Sequence, residues 1–431
     1  MKRLSLGELL GAADQVAREV VAPEVTRVDG EGRWPEKGLR ALQAAGLGGL
    51  VVPAAFGGQG QGLVALARTC EVLGRVCAST AICFGMHCVG SAVLAAKATP
   101  WQQRTFLEPI AAGAHLTTLA LSESGTGAHF YLPQTRLTAV PGGYRLEGSK
   151  SFVTNGGHAD SYVVSTLASG AAAQPGDFSC VLLPAQAENL VWEGSWEGVG
   201  MRGNSARTLR LQGVFLPATH LLGQEGDEIW YVFNVVAPFF LIAMAGTYLG
   251  IASSALEEAT AHLKRRHYSH GGSPPSSQAV LQHRLGTLWA VVERTRLLIH
   301  SAAARGDEGE ATALAALCSA KAEVADCAVH VVNEAMTLVG GRGYSESGSP
   351  LFRHLRDARA AHIMSPTTDI LRTWWGAPFS TCRCWGNERG HGEGFAGRDG
   401  HRQRGCAPRA VWGAGRHPGA GALGGRGPGA L

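Results

Sequence analysis

The sequence predicts an α+β fold in which a strand-rich region lies between two helical regions. Apolar residues recur three and four positions apart in residues 6–25, which is the period of an amphipathic helix. From about residue 118 to 226 the apolar runs are short, tend to alternate, and are punctuated by Gly, Pro, Asn and Asp, as strands and their turns are. Long helical patterns return from residue 227, so the order is helices, strands, helices.

These changes of pattern divide the chain into predicted domains. Residues 1–117 form an N-terminal helical domain, with a Gly-rich loop in PAAFGGQGQG. Residues 118–226 form a middle β domain whose strands lie in runs such as GYRLEGSKSFVTNG and RTLRLQGVFLP. Residues 227–376 form a C-terminal helical bundle with patterns as long as SQAVLQHRLGTLWAVVERTRLLIHSAAA.

Residues 377–431 are predicted to form a disordered tail. Residues 376–431 hold sixteen glycines and show no sustained apolar period, so they cannot build a core. The same bias toward Gly, Arg, Pro and Ala arises when a GC-rich gene is read out of frame. We therefore hypothesise that a frameshift near residue 376 replaced a native last helix, and resequencing the gene around that codon tests the idea.

Charge and cysteine usage argue against several classes of function. The formal net charge is +4, but residues 377–431 hold eight arginines against three acidic residues, which leaves the rest of the chain near −1. No basic face for nucleic acid is therefore expected. The ten cysteines show no paired metal-ligand spacing apart from Cys382-x-Cys384, and most lie in apolar runs, where a free Cys is a small buried hydrophobe. We expect no metal site and a reducing, cytoplasmic location.

Two uncharged stretches raise the question of a membrane span. They are residues 77–96 and 234–256, and the second is long enough to cross a bilayer. It contains Pro238 and several Gly, Ser and Thr residues, and it continues into the amphipathic ALEEATAHLKRR. A helix buried in a bundle or a subunit interface is therefore favoured, with no membrane partner. The N-terminus acquires Glu8 and Asp14 before any long apolar core, so no signal peptide is expected.

Five stretches carry a resemblance to a known family. They are VVPAAFGGQGQG, LALSESGTGAH, LEGSKSFVTNGGHADSYVV, GMRGNSARTLRLQGVFLP and LVGGRGYSESGSPLFRHLRDARAAHIMSPTTDILR. In this order and at these separations they resemble the acyl-CoA dehydrogenases, over nearly all of residues 1–375. The resemblance implies an N-terminal helical domain, a middle β domain and a C-terminal four-helix bundle. It also implies a homotetramer or homodimer that holds FAD at subunit interfaces, an acyl thioester substrate, and an electron acceptor such as an electron-transfer flavoprotein.

Small and hydroxyl-bearing residues in these stretches suit a flavin site. In SESGTG, residues such as Gly127 let the backbone approach a planar ligand closely, and the Ser122 hydroxyl can donate or accept at the ring edge. The resemblance aligns Ser122 with a Thr at the flavin pyrimidine end, Phe152 with a Trp against the isoalloxazine, and Thr154 with a hydroxyl near flavin N5. Taken alone, VTNGG is also a strand followed by an Asn-Gly turn. In register with the other stretches, the flavin role is favoured.

Four further residues become cofactor candidates through the resemblance. Arg266 matches a helix-end arginine that contacts the FAD pyrophosphate of a neighbouring subunit, and a guanidinium fork suits two phosphate oxygens. Gln278 matches a Gln at the start of the following helix, while Gly340 and Gly341 match a Gly-rich turn that approaches FAD. Ser269 stands where the family usually has Phe, and a solvated arginine at a helix end explains Arg266 equally well.

The usual catalytic base is missing from both of its positions. Acyl-CoA dehydrogenases remove the thioester α-proton with a Glu shortly after an R-D-A motif, and residues 356–358 align that Glu with Ser365. Other members carry the Glu on the helix that opens the C-terminal domain, where Phe240 stands here. A serine cannot replace the carboxylate at neutral pH. Thr367 still matches the family's FAD-contacting Thr, so the motif keeps its cofactor residue and loses its proton acceptor.

Three other residues are weaker candidates for the base. Glu123 is common in this loop of the family and is better explained by a structural role. Asp369 suits a helix start or the cofactor side. His362 is a lone histidine before a loop, which is usually packed or solvated.

Three functions therefore stay open. The first is FAD-dependent α,β-dehydrogenation of an acyl thioester, on CoA or a carrier protein, with a displaced base. The second is a flavin-dependent monooxygenase or N-hydroxylase on the same fold. The third is a catalytically impaired relative that binds flavin or acyl-CoA, since loss of a general base costs a factor of about 10²–10⁴ without abolishing binding. The missing acids favour the second and third, but the whole-chain resemblance favours the first, which is the prediction.

Overall fold

The chain is described by a computed structural model that covers residues 3–170, 173, 177–226, 229–269 and 273–381. These residues form helices, then two sheets, then helices, which confirms the predicted α+β order. The predicted tail lies outside the described residues from 382 onward.

The N-terminal part consists of seven helices, of which the first and sixth start at side-chain caps. Ser5 accepts a hydrogen bond from the Glu8 amide while the Glu8 carboxylate accepts one from the Ser5 amide, and Thr99 and Gln102 repeat this capping box. The helices are α1 Leu6–Val16, α2 Ala22–Gly30, α3 Glu36–Ala44, α4 Leu63–Val76, α5 Ala78–Ala96, α6 Pro100–Gln102 and α7 Glu108–Ala111.

The middle part is a pair of four-stranded sheets whose facing sides enclose their own apolar core. One sheet has the order β1-β4-β5-β8, with β1 Thr117–Ala120, β4 Ser161–Leu167, β5 Phe178–Pro184 and β8 Leu221–Leu222. The other has the order β2-β3-β7-β6, with β2 Arg136–Val140, β3 Gly143–Val153, β7 Arg207–Pro217 and β6 Leu190–Glu193. β1 and β4 are parallel and the other neighbours are antiparallel. Residues such as Leu146, Val164 and Leu209 fill the space between the sheets because they point inward from their strands.

The C-terminal part is built around three long helices. Its helices are α8 Ile229–Tyr231, α9 Ala237–Arg265, α10 Ala279–Asp307, α11 Ala313–Val339, α12 Gly341–Tyr344, α13 Leu351–Ile363 and α14 Thr368–Thr381. The last helix continues five residues beyond the predicted boundary at 376. A helix that is already nucleated extends by one hydrogen bond per added residue, so its end is poorly marked in the sequence.

Both long apolar stretches are buried inside the fold, which confirms the prediction made for residues 234–256. Helix α5 is one of them, and the other runs from Ile229 to Arg265, because the π-helical segment Val232–Val236 joins α8 to α9. Both are long and apolar enough to cross a membrane by length and composition, but 94% and 89% of their apolar windows are buried. α4 and α9 cross so closely that a Cβ at Gly74 would lie 2.4 Å from the carbonyl oxygen of Thr247. This close approach explains the glycines in an otherwise helical pattern. The seven described cysteines are all buried.

Candidate active site

A cleft of about 640 Å³ opens where the three parts of the fold meet. Six segments line it: α5, the loop after β1, the end of β3, the segment before β7, the start of α9, and α13 with the loop that follows it. This volume lies in the range of small-molecule and cofactor sites. The cleft brings together predicted site residues from distant parts of the chain, namely Ser122, Gly127, Phe152, Thr154, Phe240, Ser365 and Thr367.

The loop after β1 is held by a buried ion pair. The Glu123 carboxylate accepts hydrogen bonds from Lys150 Nζ at 2.5 Å, from the Thr135 hydroxyl at 2.7 Å, and from the backbone amides of Gln134 and Thr135. Burial opposes ionisation of Glu123, but the Lys150 ammonium and these donors lower its pKa below the ordinary value. Burial lowers the pKa of Lys150 to about 8 against the attraction of Glu123. The carboxylate is therefore a structural anchor and a weak base.

The end of β3 is shaped by a bulge that turns Phe152 into the cleft. The register between β3 and β7 shifts between Lys150 and Val153, and Phe152 has a φ of 55°. A bulge re-aims a side chain that regular pairing would have placed on the sheet face. Phe152 is 65% exposed and meets Trp196 edge to face, with ring centroids 6.2 Å apart. The two aromatic rings flank one side of the cleft.

Thr154 follows the bulge at the rim of an anchored turn. Its carbonyl oxygen accepts a hydrogen bond from the Thr118 hydroxyl at 3.0 Å. Next to it, Asn155 accepts from Trp34 Nε1 and donates to the Cys83 carbonyl, both at 2.9 Å. The sequence reading of an Asn-Gly turn is thus correct locally, and the turn also lines the cleft, so the structural and ligand-binding interpretations are compatible.

The Arg356-Asp357 pair of α13 joins all three parts of the fold beside the cleft. The Arg356 guanidinium pairs with Asp29 of α2 and donates to the Val199 carbonyl at 2.9 Å. Asp357 is buried and accepts a hydrogen bond of 2.6 Å from the Met201 amide. Burial raises the pKa of Asp357 to about 6. The segment around Met201 therefore forms a cleft wall that α13 holds in place.

Residues 364–367, here called the Ser365 loop, form another wall. Among the described residues the Ser365 hydroxyl is buried without a hydrogen-bond partner. The Thr367 hydroxyl accepts a long bond of 3.5 Å from the Ile370 amide at the start of α14. Beneath the loop, Lys321 Nζ donates to the Pro366 carbonyl at 2.8 Å and to the Met364 carbonyl at 3.2 Å.

The cleft offers no free carboxylate among the described residues that line it. Its one carboxylate belongs to Glu123, whose oxygens are already bonded. His362 lies outside the lining and pairs with Asp326 at 2.8 Å, and Asp369 is exposed in the first turn of α14, also outside the lining. Of the three weaker base candidates, Glu123 is therefore already ion-paired, and His362 and Asp369 lie outside the cleft lining.

The start of α9 closes the cleft with apolar side chains. Phe240 lines it, whereas Leu241 and Tyr248 are buried in the helical core. The Tyr248 hydroxyl contacts Met364 Sδ at 3.0 Å, which ties α9 to the Ser365 loop.

Four predicted cofactor residues do not line the cleft of their own chain. Arg266 caps the end of α9, with its guanidinium 5.1 Å from the Tyr268 ring centroid. Gln278 precedes α10, while Gly340 ends α11 with a φ of 72° and Gly341 begins α12. The contact of Arg266 with a neighbouring subunit's FAD, and the cofactor roles of the other three residues, stay predictions.

Sequence reasoning missed three features of the site. Trp196 lies in the Gly-rich run EGSWEGVG, where a lone aromatic is a usable signal for a binding wall. Arg359 lines the cleft three residues after Arg356 and follows from helical spacing. Lys321 occupies the apolar face of α11 together with Leu317 and Val324, so the helical spacing of these residues could have predicted its burial. No group of three or more potential metal ligands occurs among the described residues.

Comparison with known proteins gives matches along most of the chain. Three models of the acyl-CoA dehydrogenase family match: the N-terminal domain at residues 7–114, the middle domain at 118–214 and the C-terminal domain at 239–377. Cyclohex-1-ene-1-carbonyl-CoA dehydrogenase of Geobacter metallireducens is 29% identical over 358 residues, which cover 83% of this chain and 93% of that protein. The short-chain specific acyl-CoA dehydrogenase of Megasphaera elsdenii is 29% identical over 374 residues, covering 84% and 94%. The solved structure of butyryl-CoA dehydrogenase from Megasphaera elsdenii superposes with a TM-score of 0.81 at 26% identity, covering 88% of this chain and 99% of that one.

Proposed function

The chain belongs to the acyl-CoA dehydrogenase family of oxidoreductases that act on CH–CH donors, and on this premise we propose that its cleft binds FAD and oxidises the Cα–Cβ bond of an acyl thioester. The carrier, CoA or a carrier protein, and the acyl group are left open by the residues of the cleft.

The main support is the convergence of four residues from three separate sequence stretches on one cleft. Ser122, Phe152, Thr154 and Thr367 come from the loop after β1, the end of β3 and the Ser365 loop, yet they line the same cavity. Three of them carry hydroxyl groups and one an aromatic ring, which is the lining that a flat heterocycle with a polar edge requires.

The lining fits FAD. Gly127 has a φ of 54° and no atom within 4 Å of where its Cβ would lie, which leaves room for a ligand against the backbone. The hydroxyls of Ser122, Thr154 and Thr367 would hold the polar edge of the ring, and Phe152 with Trp196 would cover it. When bound, FAD supplies a two-electron acceptor.

The described residues that line the cleft can bind a substrate and exclude water, but they include no free carboxylate to accept a proton. Leu119, Leu121, Phe130 and Phe240 give the cleft apolar walls that suit an acyl chain and exclude water. Arg359 adds a positive charge at the cleft. Because the lining supplies no free carboxylate, removal of the α-proton should be slower by about 10²–10⁴ than in a site with a positioned base.

An anaerobic titration tests the proposal. The FAD-loaded protein is mixed with a panel of acyl-CoA thioesters that differ in chain length, and the flavin absorbance near its visible maximum is followed. We expect slow bleaching with at least one thioester, and re-oxidation by an electron-transfer flavoprotein. FAD that stays bound and fully oxidised with every thioester contradicts dehydrogenation.

The missing carboxylate supports a second candidate, a flavin-dependent monooxygenase on this fold. Such an enzyme needs a dry cleft and a reductant, but no base for an α-proton. Supplying reduced flavin from an external reductase under oxygen, and searching amines and sulfur heterocycles for oxygen incorporation, distinguishes it. An oxygenated product in this assay, with no bleaching in the anaerobic one, favours the second candidate.

A further inference from the structure

Lys321 is a buried lysine that the proposed reaction does not use. It lies on the inward face of α11, its side chain is fully buried, and no described carboxylate lies within ion-pair distance of its Nζ. Burial lowers its pKa to about 7. Burying a lysine amine without a carboxylate partner costs folding free energy. The groups to which its Nζ donates therefore indicate its role.

Its partners are the two backbone carbonyls on either side of Ser365. Nζ donates to the Met364 carbonyl at 3.2 Å and to the Pro366 carbonyl at 2.8 Å. Both the ammonium and the neutral amine carry enough hydrogens to make two such bonds. The Ser365 loop is therefore bound from beneath at two points, one residue before and one residue after Ser365.

The loop has few other holds among the described residues. The Met364 amide bonds to the Ala360 carbonyl at the end of α13, and the Met364 sulfur contacts Tyr248. The Thr367 carbonyl accepts from the Leu371 amide of α14. These contacts fix the ends of the loop, whereas Lys321 holds its centre.

We propose that Lys321 is a positioning residue for the cleft, which fixes the Ser365 loop so that Ser365 and Thr367 are presented to the ligand. The part that concerns the cofactor rests on the proposed binding of FAD. The hold on the loop itself stands independently of it.

The test compares Lys321→Met, which keeps the length and removes the donors, with Lys321→Gln, which keeps a donor and removes the charge. Val331→Ala is the matched control, since Val331 is fully buried on the same helix about 15 Å farther along. Hydrogen exchange of peptides covering residues 363–371 is measured on the apoprotein by mass spectrometry, and FAD affinity is measured by absorbance titration.

In Lys321→Met we expect exchange in residues 363–371 to accelerate about tenfold and FAD affinity to fall by a similar factor. Lys321→Gln should lie between this variant and the parent protein. Val331→Ala should change neither quantity selectively. Unchanged exchange in the loop overturns the proposal, and so does exchange that rises equally throughout the helical bundle, because Lys321 would then be only a core residue.

The two readouts separate the two ideas. If the parent protein binds no FAD, the proposed function fails while the exchange data still decide the hold on the loop. If the loop loosens in Lys321→Met and FAD affinity stays the same, Lys321 does not position the cleft and the proposal is wrong.

Discussion

The family resemblance aligns Ser365 with the usual base, and the Ser365 hydroxyl is buried without a hydrogen-bond partner among the described residues. Ser365 itself is half-buried and lines the cleft, so its hydroxyl is available to a bound ligand. The loop around it is nevertheless well held, by Lys321 and by the contact between Tyr248 and Met364. The site thus keeps its scaffold while the acid is absent.

Restoring the acid should restore the reaction. Ser365→Glu places a carboxylate in a cleft with apolar walls, and a positioned general base accelerates proton transfer by about 10²–10⁴. We expect acyl-CoA-dependent bleaching of FAD to accelerate within that range in a stopped-flow experiment.

Ser365→Gln is the control for this change, because it adds the same volume without a proton acceptor. It should bind FAD and stay as slow as the parent protein. No gain in Ser365→Glu, with FAD still bound, argues against a cleft built for dehydrogenation.

Glu123 and Lys150 are the other charged residues whose roles the structure defines. Their side chains are 5% and 0% exposed, so each is stabilised mainly by the other. Glu123→Gln leaves the lysine buried without its anion and should lower the free energy of unfolding by about 3–5 kcal/mol. The double variant with Lys150→Met should recover much of this loss. Urea unfolding of both single variants and the double variant measures the coupling, and a loss below about 1 kcal/mol in Glu123→Gln contradicts it.

At the scale of elements, α13 organises the cleft through two consecutive residues. Arg356 reaches α2 and the segment before β7, and Asp357 holds the Met201 amide. The close packing of this segment is evident at Gly200, where a Cβ would lie 2.4 Å from the Arg356 carbonyl oxygen. One helix therefore sets the separation of two cleft walls.

This arrangement makes a prediction about pH. Burial raises the pKa of Asp357 from 3.8 to about 6, so the folded protein binds this proton more tightly than the unfolded chain. The contribution of Asp357 to stability is therefore fully present below about pH 4 and is lost as the pH rises to about 6, over a range of up to about 3 kcal/mol.

Asp357→Asn keeps the acceptor for the Met201 amide and removes the titration. The free energy of unfolding of the parent protein, minus that of Asp357→Asn, should fall between pH 4 and pH 6 and be constant above that range. Urea unfolding at half-unit steps of pH measures the difference, and a difference that does not vary with pH shows that Asp357 keeps an ordinary pKa.

The elements also show what a sequence can and cannot predict. Helical period and turn residues were sufficient for the order of the parts and for the burial of both apolar helices, because these depend on the pattern of side chains along the chain. The bulge that turns Phe152 into the cleft depends on the register between β3 and β7, which is a tertiary property. The position of Phe152 in the site came from family resemblance, and its φ of 55° had no signal in the sequence.

At the scale of the whole molecule, the cleft of a single chain contains only some of the predicted cofactor residues. Arg266, Gln278, Gly340 and Gly341 lie outside the cleft of their own chain, whereas Ser122 and Thr154 line it. The resemblance predicts that one of the first group, Arg266, contacts the FAD of a neighbouring subunit. If it does, a homodimer or homotetramer is needed to complete the site, and light scattering combined with gel filtration should show one.

Mixing two defective chains tests this requirement directly. Arg266→Ala removes the proposed pyrophosphate contact, and Gly127→Trp fills the cleft at a position with open space, so each homo-oligomer should bind FAD at least about tenfold more weakly than the parent protein. In a co-expressed mixture, an Arg266→Ala chain still has an open cleft and can take Arg266 from its Gly127→Trp partner. Random pairing in a two-fold dimer should then restore roughly a quarter of the sites, as measured by FAD absorbance per chain. If Arg266 acted within its own chain, the co-expressed mixture would bind no more FAD than the two homo-oligomers do, and that result would contradict a shared site.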